Sequence, residues 1–173
     1  MSVELRDLKN SYRIDLMQAD FDLIKATARG TYLEVGTMEG GSAYAASFGA
    51  DKVYTIDCDP NPRRLFLEDY PRPNIEFILG RSEEVVKTWK EPIDVLFIDG
   101  EHGYEDVSRD WRSWVPHVAK HGHIMFHDLH PDYPGVILAV AEFIKECRPI
   151  EFLWPTAYKF EMEAGSTIFR CRI

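Results

Sequence analysis

The feature of this sequence that most constrains its fold is an alternation of short β-rich runs with helical segments. The runs are rich in β-branched and aromatic residues and cover residues 31–35, 52–56, 75–79, 93–98 and 123–126. Between them, apolar residues recur at spacings of three and four, most clearly at 104–118 and again at 136–147. Alternating strands and helices form a parallel sheet through right-handed crossovers. The sequence therefore predicts a doubly wound, Rossmann-like α/β fold with helices on both faces of the sheet.

Both ends of the chain depart from this alternation. Residues 1–30 carry an amphipathic helical pattern, which predicts an N-terminal helical segment ahead of a Rossmann-like core at 31–173. Two β-like runs, at 150–154 and 167–173, are joined by a polar loop and predict a C-terminal antiparallel hairpin. Ser82, ahead of two acidic residues, is predicted to N-cap a short helix. No repeat or low-complexity linker interrupts the sequence, so we expect one domain over all 173 residues.

The charge of the chain narrows the class of partner. Its 29 Asp and Glu residues outnumber its 20 Lys and Arg residues, which gives a formal net charge of -9. Nucleic-acid binding requires clustered Lys and Arg, so this balance favours a small-molecule or glycan partner over DNA or RNA. Residues 1–30 contain neither a signal-sequence pattern nor an apolar block of membrane-spanning length. We therefore expect a cytoplasmic protein with no membrane and no nucleic-acid partner.

A glycine-rich loop, E-V-G-T-M-E-G-G-S, follows the first predicted strand. Glycines at this place allow a tight turn and close approach of a ligand to backbone N–H groups, although a strand-to-helix turn without a ligand explains them equally well. The second strand ends in Asp57, about 20 residues further on, where a carboxylate can accept hydrogen bonds from both ribose hydroxyls. Together the loop and the carboxylate predict a nucleoside-containing ligand. The candidate ligand-binding residues of the loop are Glu34, Gly36, Gly40, Gly41 and Ser42.

Acidic residues and histidines follow the fourth and fifth predicted strands. The fourth leads into Asp99 and, three residues later, His102, and the fifth leads into His127 and Asp128. Adjacent strands lie about 4.8 Å apart, so Asp99 and Asp128 can converge on one ion. Oxygen and nitrogen ligands in such a place suit Mg²⁺ or Mn²⁺. The alternative is that the strand-end acids cap the helices that follow them.

These motifs resemble those of class I S-adenosylmethionine-dependent methyltransferases over nearly the whole chain, from Tyr32 to the C-terminal hairpin. The glycine loop differs from the G-x-G-x-x-G of dinucleotide-binding folds. The octapeptide F-I-D-G-E-H-G-Y at 97–104, followed by an acid after the fifth strand, is similar to the signature of a metal-dependent O-methyltransferase branch. That branch includes macrolide-sugar O-methyltransferases and cephalosporin-biosynthesis methyltransferase-like proteins.

The resemblance implies S-adenosylmethionine as cofactor and a role for each motif. The glycine loop would wrap the methionine part, Asp57 would hold the ribose with Asp59 as the weaker candidate, and residues after the third strand would contact the adenine. The implied cofactor-binding residues are Glu34, Gly36, Gly40, Gly41, Ser42, Asp57, Ser82, Glu83 and Asp99.

The resemblance also implies a divalent metal and a catalytic base. Asp99 and Asp128 would ligate the ion, and His102 occupies the position of the base. His127 stands where the close relatives have a carboxylate. As a third ligand it would widen the choice of metal from Mg²⁺ to Mn²⁺ or another transition metal.

The implied reaction is transfer of a methyl group to a hydroxyl oxygen, with His102 removing the hydroxyl proton. We expect the segments 129–135 and 155–165, rich in Pro, Tyr and Phe, to form the walls of the acceptor pocket. An open site of this kind is compatible with completion by a second subunit in a homo-oligomer. Two other classes stay open: a metal-dependent hydroxylase or hydrolase on the same fold, and a cofactor-binding protein without catalytic activity.

Overall fold

The computed structural model describes residues 5–8, 16–59, 65–149, 151–154 and 166–173, and strands and helices alternate along most of these ranges. The strands are β1 (Thr31–Val35), β2 (Lys52–Asp57), β3 (Ile75–Leu79), β4 (Ile93–Ile98), β5 (Val118–Phe126), β6 (Glu151–Leu153) and β7 (Phe169–Arg172). The α-helices are α1 (Gln18–Thr27), α2 (Gly41–Ala46), α3 (Leu65–Asp69), α4 (Ser82–Val85), α5 (Tyr104–Trp114) and α6 (Pro134–Cys147). None of the helices in these ranges has the length and apolar character that crossing a bilayer requires.

The strands form one sheet in the order β3-β2-β1-β4-β5-β7-β6. Neighbours from β3 to β5 are parallel, whereas β7 is antiparallel to both β5 and β6. The predicted mostly parallel sheet with a C-terminal antiparallel hairpin is therefore confirmed. The direction of strand addition reverses between β1 and β4, which leaves a crevice at the carboxyl ends of these two strands.

Each face of the sheet is covered by its own hydrophobic cluster. Leu33 and Val35 of β1 face a cluster that includes Trp114 of α5 and Phe143 of α6. Tyr32, with the opposite orientation, packs in the second cluster with residues of α1 and α2. Successive side chains of a strand point to opposite faces, so the buried β1 contributes to both layers. Its carboxyl end is thereby fixed between two packed helical layers.

Three local predictions were wrong. The fifth strand was predicted at 123–126, but β5 begins five residues earlier, at Val118. The helical pattern at 104–118 ends as an α-helix at Trp114, because Pro116 has no N–H to continue it, and a short 3-10 turn follows. Ser82 is not an N-cap: Arg81 occupies that position without a side-chain cap, and Ser82 is the first residue of α4. Instead, the Ser82 hydroxyl accepts a hydrogen bond from the Trp114 indole N–H at 2.8 Å.

Candidate cofactor and metal site

A cavity of about 430 Å³ lies at the carboxyl edge of the sheet. Its walls are the glycine loop after β1, the ends of β2 and β3, the first half of α5, and the residues that follow β4 and β5. Small-molecule sites typically enclose roughly 300–1,000 Å³, so the volume suits a nucleoside-sized ligand. The cavity also lies at the reversal of strand order, where open α/β sheets bind their ligands.

The glycine loop depends on backbone conformations that favour glycine. Gly36 has φ +96, and a Cβ added there would lie 2.0 Å from the carbonyl oxygen of Asp99. Only glycine lets the loop pass this close to the end of β4. Gly36, Gly41 and Ser42 line the cavity. Gly40, with φ +87, does not line the cavity. A Cβ there would meet the side chain of Leu67, and Gly40 is the N-cap residue of α2.

Asp57, the predicted ribose ligand, lies in the cavity wall and holds the glycine loop. Its Oδ2 accepts hydrogen bonds from the backbone N–H groups of Thr37 at 3.0 Å and Met38 at 3.2 Å. Its Oδ1 accepts from the N–H of Asp59 at 2.9 Å. A carboxylate has about four acceptor sites, so these bonds fix its orientation and leave capacity for a ligand hydroxyl.

Glu34 lies beneath the loop rather than in the cavity wall. Its side chain is fully buried, and neither carboxylate oxygen has a well-aligned hydrogen-bond donor. Burial raises the pKa of Glu34 to about 8, although the nearby hydroxyls of Thr55 and Ser42 act in the opposite direction. Its predicted contact with the cofactor would therefore be indirect, through Ser42.

The opposite end of the cavity is formed by α4 and α5. Ser82 and Glu83, the predicted adenine contacts, both line it, and Glu83 forms an ion pair with Arg81 at 2.6 Å. Asp110 of α5 also lines this end, although it is only 8% exposed. Sequence reasoning missed Asp110 because it follows no strand. The signal was a carboxyl within the apolar stripe of α5.

Asp99, His102 and Asp128 converge at the other end of the cavity. One donor atom from each lies within 4.8 Å of the others. His102 Nε2 is 2.9 Å from Asp128 Oδ2. Asp128 has φ 54, a left-handed conformation that Asp tolerates better than most residues. The structure thus brings together the two predicted carboxylates and the predicted base.

His127 lies below this group, only 8% exposed, and contacts three carboxylates. Its Nδ1 is 3.0 Å from Asp99 Oδ1 and 3.3 Å from Asp128 Oδ2. Burial would lower the pKa of His127, but the neighbouring carboxylates raise it well above its ordinary value. An imidazolium has no lone pair for a metal ion, so the predicted ligation by His127 requires loss of its proton.

The third carboxylate near His127 belongs to Asp20 of α1, which is 1% exposed. Asp20 Oδ2 is 3.6 Å from His127 Nε2. Its Oδ1 accepts hydrogen bonds from the Ser166 hydroxyl at 2.6 Å and the Thr167 backbone N–H at 3.0 Å. Sequence reasoning missed this contact because its members come from distant segments. The signal was an acidic residue beside the buried Phe21.

The pKa values of the two carboxylates beside His127 are shifted in opposite directions. Burial raises the pKa of Asp99 above its ordinary value, and the charge of His127 offsets this only in part. Burial acts in the same direction on Asp128, but hydrogen bonding and charge from His127 hold its pKa below the ordinary value. Asp128 is therefore the more firmly ionised of the two.

His102 is packed on its other side by the segment before α6. Its ring packs against that of Tyr133 at a centroid distance of 4.2 Å, with the ring planes tilted by 36°. A Cβ on Gly135 would lie 2.4 Å from the His102 carbonyl oxygen, so α6 starts in close contact with the His102 loop. The predicted wall segment 129–135 thus contacts the base without lining the cavity, and the other predicted wall, 155–165, lies outside the described residues.

Sequence comparison places these features in a known family. Residues 33–129 match a family described as a methyltransferase domain. An uncharacterized protein of Acanthamoeba polyphaga mimivirus is 30% identical over 149 residues, which cover 76% of this chain and 66% of that protein. An uncharacterized protein of Sinorhizobium fredii is 39% identical over 36 residues, 21% of this chain and 4% of its own length. The chain thus spans slightly less than two thirds of the first relative and a small part of the second.

Solved structures share the fold. An O-methyltransferase from Bacillus cereus in complex with S-adenosylhomocysteine has a TM-score of 0.73 at 15% identity, covering 92% of this chain and 82% of its own. A Podospora anserina methyltransferase with bound S-adenosylhomocysteine has a TM-score of 0.71 at 15% identity, with coverage of 96% and 82%. Spermidine synthase from Thermotoga maritima has a TM-score of 0.63 at 15% identity, with coverage of 90% and 60%. On the match over residues 33–129, which contain the glycine loop and the Asp/His residues, the chain belongs to the methyltransferase-domain family.

Proposed function

We propose that this chain is an S-adenosylmethionine-dependent methyltransferase that methylates a hydroxyl oxygen of a small molecule or glycan. The observation that carries the proposal is the convergence of Asp99, His102 and Asp128 beside the cavity of the glycine loop. This arrangement, a histidine and two carboxylates next to a nucleoside-sized cavity, supports a role for His102 as the base. The metal-dependent O-methyltransferase branch, suggested by the motif at 97–104, is part of the proposal.

The cavity fits the proposed cofactor in its polar groups as well as in its volume. Gly36 and Gly41 bring backbone into the wall on one side, and Asp57, also in the wall, offers a carboxylate for a ribose hydroxyl. Ser82 and Glu83 border the end farther along β3. A ligand that extends from Ser82 to Asp99 would present its sulfonium methyl group toward His102.

The contacts of His102 orient its imidazole in a way that suits a general base. When a neutral imidazole donates through Nε2 to the Asp128 carboxylate, its lone pair is on Nδ1. Asp128 and the Tyr133 ring then fix the orientation of that lone pair. As the acceptor oxygen forms its bond to the methyl carbon, the bond from that carbon to sulfur breaks and the hydroxyl proton passes to Nδ1. The products are the methyl ether and S-adenosylhomocysteine.

The same three residues fit a divalent transition metal. Two carboxylates and an imidazole, with donor atoms within 4.8 Å of one another, are a donor set that suits Mn²⁺ or a similar ion. A bound ion would supply Lewis-acid activation of the acceptor hydroxyl. His102 cannot use one nitrogen lone pair both for an ion and for a proton. Its roles as ligand and as base are therefore alternatives that experiment can separate.

The first experiment is isothermal titration of the wild-type chain with S-adenosylhomocysteine, with and without Mn²⁺. We expect saturable binding of the nucleoside in both conditions, and separate binding of Mn²⁺ that Asp99→Asn and Asp128→Asn each weaken. A cofactor-binding protein without catalytic activity would bind S-adenosylhomocysteine but not methylate any acceptor. A metal-dependent hydrolase would bind Mn²⁺ and ignore S-adenosylhomocysteine, which would contradict the proposal.

The second experiment tests the base. Hydroxylated small molecules and glycan ends are incubated with methyl-labelled S-adenosylmethionine to find an acceptor. His102→Ala should then reduce turnover by about 10² to 10⁴ while the affinity for S-adenosylhomocysteine stays near wild type. His130→Ala is the matched control, because His130 lies on the loop after β5 and does not line the cavity. Unchanged turnover in His102→Ala would contradict the role as base, and a collapse of Mn²⁺ affinity would assign His102 to the ligands.

A further inference from the structure

The wall of the cavity formed by α4 and α5 contains a carboxyl group to which neither motif assigns a role. Asp110 lies on the inner face of α5, is 8% exposed and lines the cavity. The helix is fixed there by Trp111 and Trp114, which are 3% and 0% exposed. Burial raises the pKa of Asp110 to about 6, against smaller opposing effects of Ser82 and Arg109. A carboxyl is costly to bury in this way unless it is hydrogen-bonded.

One hydrogen bond fixes the polarity of this end. The Trp114 indole can only donate, and it donates to Ser82 Oγ at 2.8 Å. The Ser82 hydroxyl therefore keeps its own proton, and its presence beside Asp110 acts to lower the pKa of that carboxyl. A carboxylate has about four acceptor sites, so Asp110 keeps acceptor capacity for a ligand in the cavity that it lines.

The arginines at this end pair with other acids. Arg109 Nη1 contacts Asp106 Oδ1 at 2.9 Å, and Arg81 Nε contacts Glu83 Oε1 at 2.6 Å. Asp110 is more deeply buried than either of these pairs, and the group beside it that acts most strongly to lower its pKa is Ser82, a neutral hydroxyl. A ligand group that donates hydrogen bonds is the natural complement of such a carboxyl.

The position of Asp110 indicates which part of the ligand meets it. Asp57, at the end of β2, is the expected ribose ligand. In a nucleoside the base and the 5′ substituent leave the ribose on opposite sides. With the 5′ sulfur directed to His102, the base extends toward α4 and α5, where Ser82 and Asp110 form the wall.

This inference rests on the proposed function. We infer that Asp110 accepts a hydrogen bond from the exocyclic amino group of adenine and makes the site selective for a 6-aminopurine over a 6-oxopurine. The amino group donates to the carboxylate, whereas a 6-oxo group would place two acceptors against each other in a buried site. Sites built to hydrogen-bond one ligand group discriminate strongly against analogues that leave a buried polar group unpaired.

The test compares S-adenosylhomocysteine with S-inosylhomocysteine, its deaminated analogue, by isothermal titration. One hydrogen bond to a charged group corresponds to roughly a 10- to 150-fold preference of the wild-type chain for the adenine compound. Asp110→Asn should lose most of this preference, because its amide can donate to a 6-oxo oxygen. Glu105→Gln, an exposed acid on the same helix, is the matched control and should keep the wild-type ratio.

Thermal melting of each variant shows that it is folded, and the isosteric Asp110→Asn change keeps the shape of the site. Equal wild-type affinity for the two compounds would overturn the inference and leave the proposed function standing. A wild-type preference that Asp110→Asn retains in full would overturn it as well. If the wild-type chain bound neither compound, the proposed function would fail and this inference with it.

Discussion

The two ends of the cavity are held together in different ways. We call the part of the cavity around Asp57 the nucleoside end, after the ligand proposed for it. There Asp57 accepts hydrogen bonds from the backbone N–H groups of Thr37, Met38 and Asp59, all supplied by the loops after β1 and β2. At the Asp/His end, His127 contacts side chains that come from three different parts of the chain, including Asp20 of α1.

The difference shows which end is the more sensitive to a single side chain. The backbone amides around Asp57 belong to the loops after β1 and β2, whose starts are fixed by these strands, so a change of one side chain there should have a local effect. A buried charge cluster depends on every member, since removal of one leaves the others buried and unpaired. We therefore expect the largest effects on stability at the Asp/His end and more local effects at the nucleoside end.

The largest effect should come from His127→Gln, which removes the imidazolium from between three carboxylates. Loss of one partner of a buried ion pair typically costs about 3–5 kcal/mol, and urea unfolding at pH 6 should show a loss of this size. The pKa of His127 is raised in the folded chain, so its stabilisation is complete below the unfolded pKa of about 6.5 and is lost as the pH rises through the raised value. The difference in the free energy of unfolding between wild type and His127→Gln should accordingly become smaller at high pH.

The control for that experiment is His117→Gln, since His117 is a partly exposed histidine at the end of the turn after α5. It should change the free energy of unfolding by no more than about 0.5 kcal/mol, the usual range for surface substitutions. A similar loss in both variants, or a gap that does not depend on pH, would contradict the role of His127 as the buried cation.

The next effect is a gain in stability rather than a loss, and it comes from Glu34, which lies beneath the glycine loop. Burial raises the pKa of Glu34 from its ordinary 4.5 to about 8, so the folded chain loses stability as the pH rises from the unfolded pKa to about 8. Glu34→Gln removes this ionisation and should be more stable than wild type at pH 9. The gain has a ceiling on the order of 5 kcal/mol from the size of the shift, and it should fall below about 1 kcal/mol at pH 5. Thermal unfolding across this pH range measures it.

Glu76→Gln serves as the matched control, because Glu76 is a half-exposed carboxylate of β3 paired with Lys52. It should lack the pH-dependent gain expected of Glu34→Gln. If Glu34→Gln instead loses stability at pH 9, the ionised carboxylate must find partners beneath the loop, and the two ends of the cavity would be more alike than the contacts indicate.

The sequence predicted the parts of the molecule that follow from local patterns. Strand periodicity and the residues that end each strand located the sheet, the glycine loop and the pair Asp99 and Asp128. These features depend on the rule that the carboxyl ends of parallel strands share one edge. The helix end at Trp114 required attention to Pro116, and the Ser82 hydroxyl is directed by a tryptophan 32 residues away in the chain.

What the sequence did not predict depends on contacts between distant segments. Asp20 meets Ser166 across 146 residues, and no spacing rule connects them. Asp110 is buried because α5 packs against α4, so its position next to Ser82 appears only in three dimensions. In both cases the detectable signal was a charged residue on an otherwise apolar helix face, which marks a residue worth examining but does not identify its partner.

The third effect tests the nucleoside end directly. Asp57→Ala removes the carboxylate expected to accept a hydrogen bond from a ribose hydroxyl, and it should weaken S-adenosylhomocysteine binding by roughly 1.5–3 kcal/mol, or about 10- to 150-fold. Isothermal titration measures this change after melting has shown that the variant is folded. Asp59→Ala is the control and should have a smaller effect. A larger loss of S-adenosylhomocysteine affinity in Asp59→Ala than in Asp57→Ala would assign the ribose contact to Asp59 instead of Asp57.

The smallest effect should be confined to the Asp/His end. Tyr133→Leu removes the ring that packs against His102 at a centroid distance of 4.2 Å, a contact worth about 0.5–1.5 kcal/mol for aromatic pairs. If that energy is used to orient the base, turnover falls by roughly two- to tenfold, while S-adenosylhomocysteine affinity stays at the wild-type value because Tyr133 does not line the cavity. Tyr133→Phe keeps the ring and should restore turnover, which excludes a role for the hydroxyl. A parallel fall in nucleoside affinity would show that the two ends are coupled through α6, because the start of that helix contacts the His102 loop at Gly135.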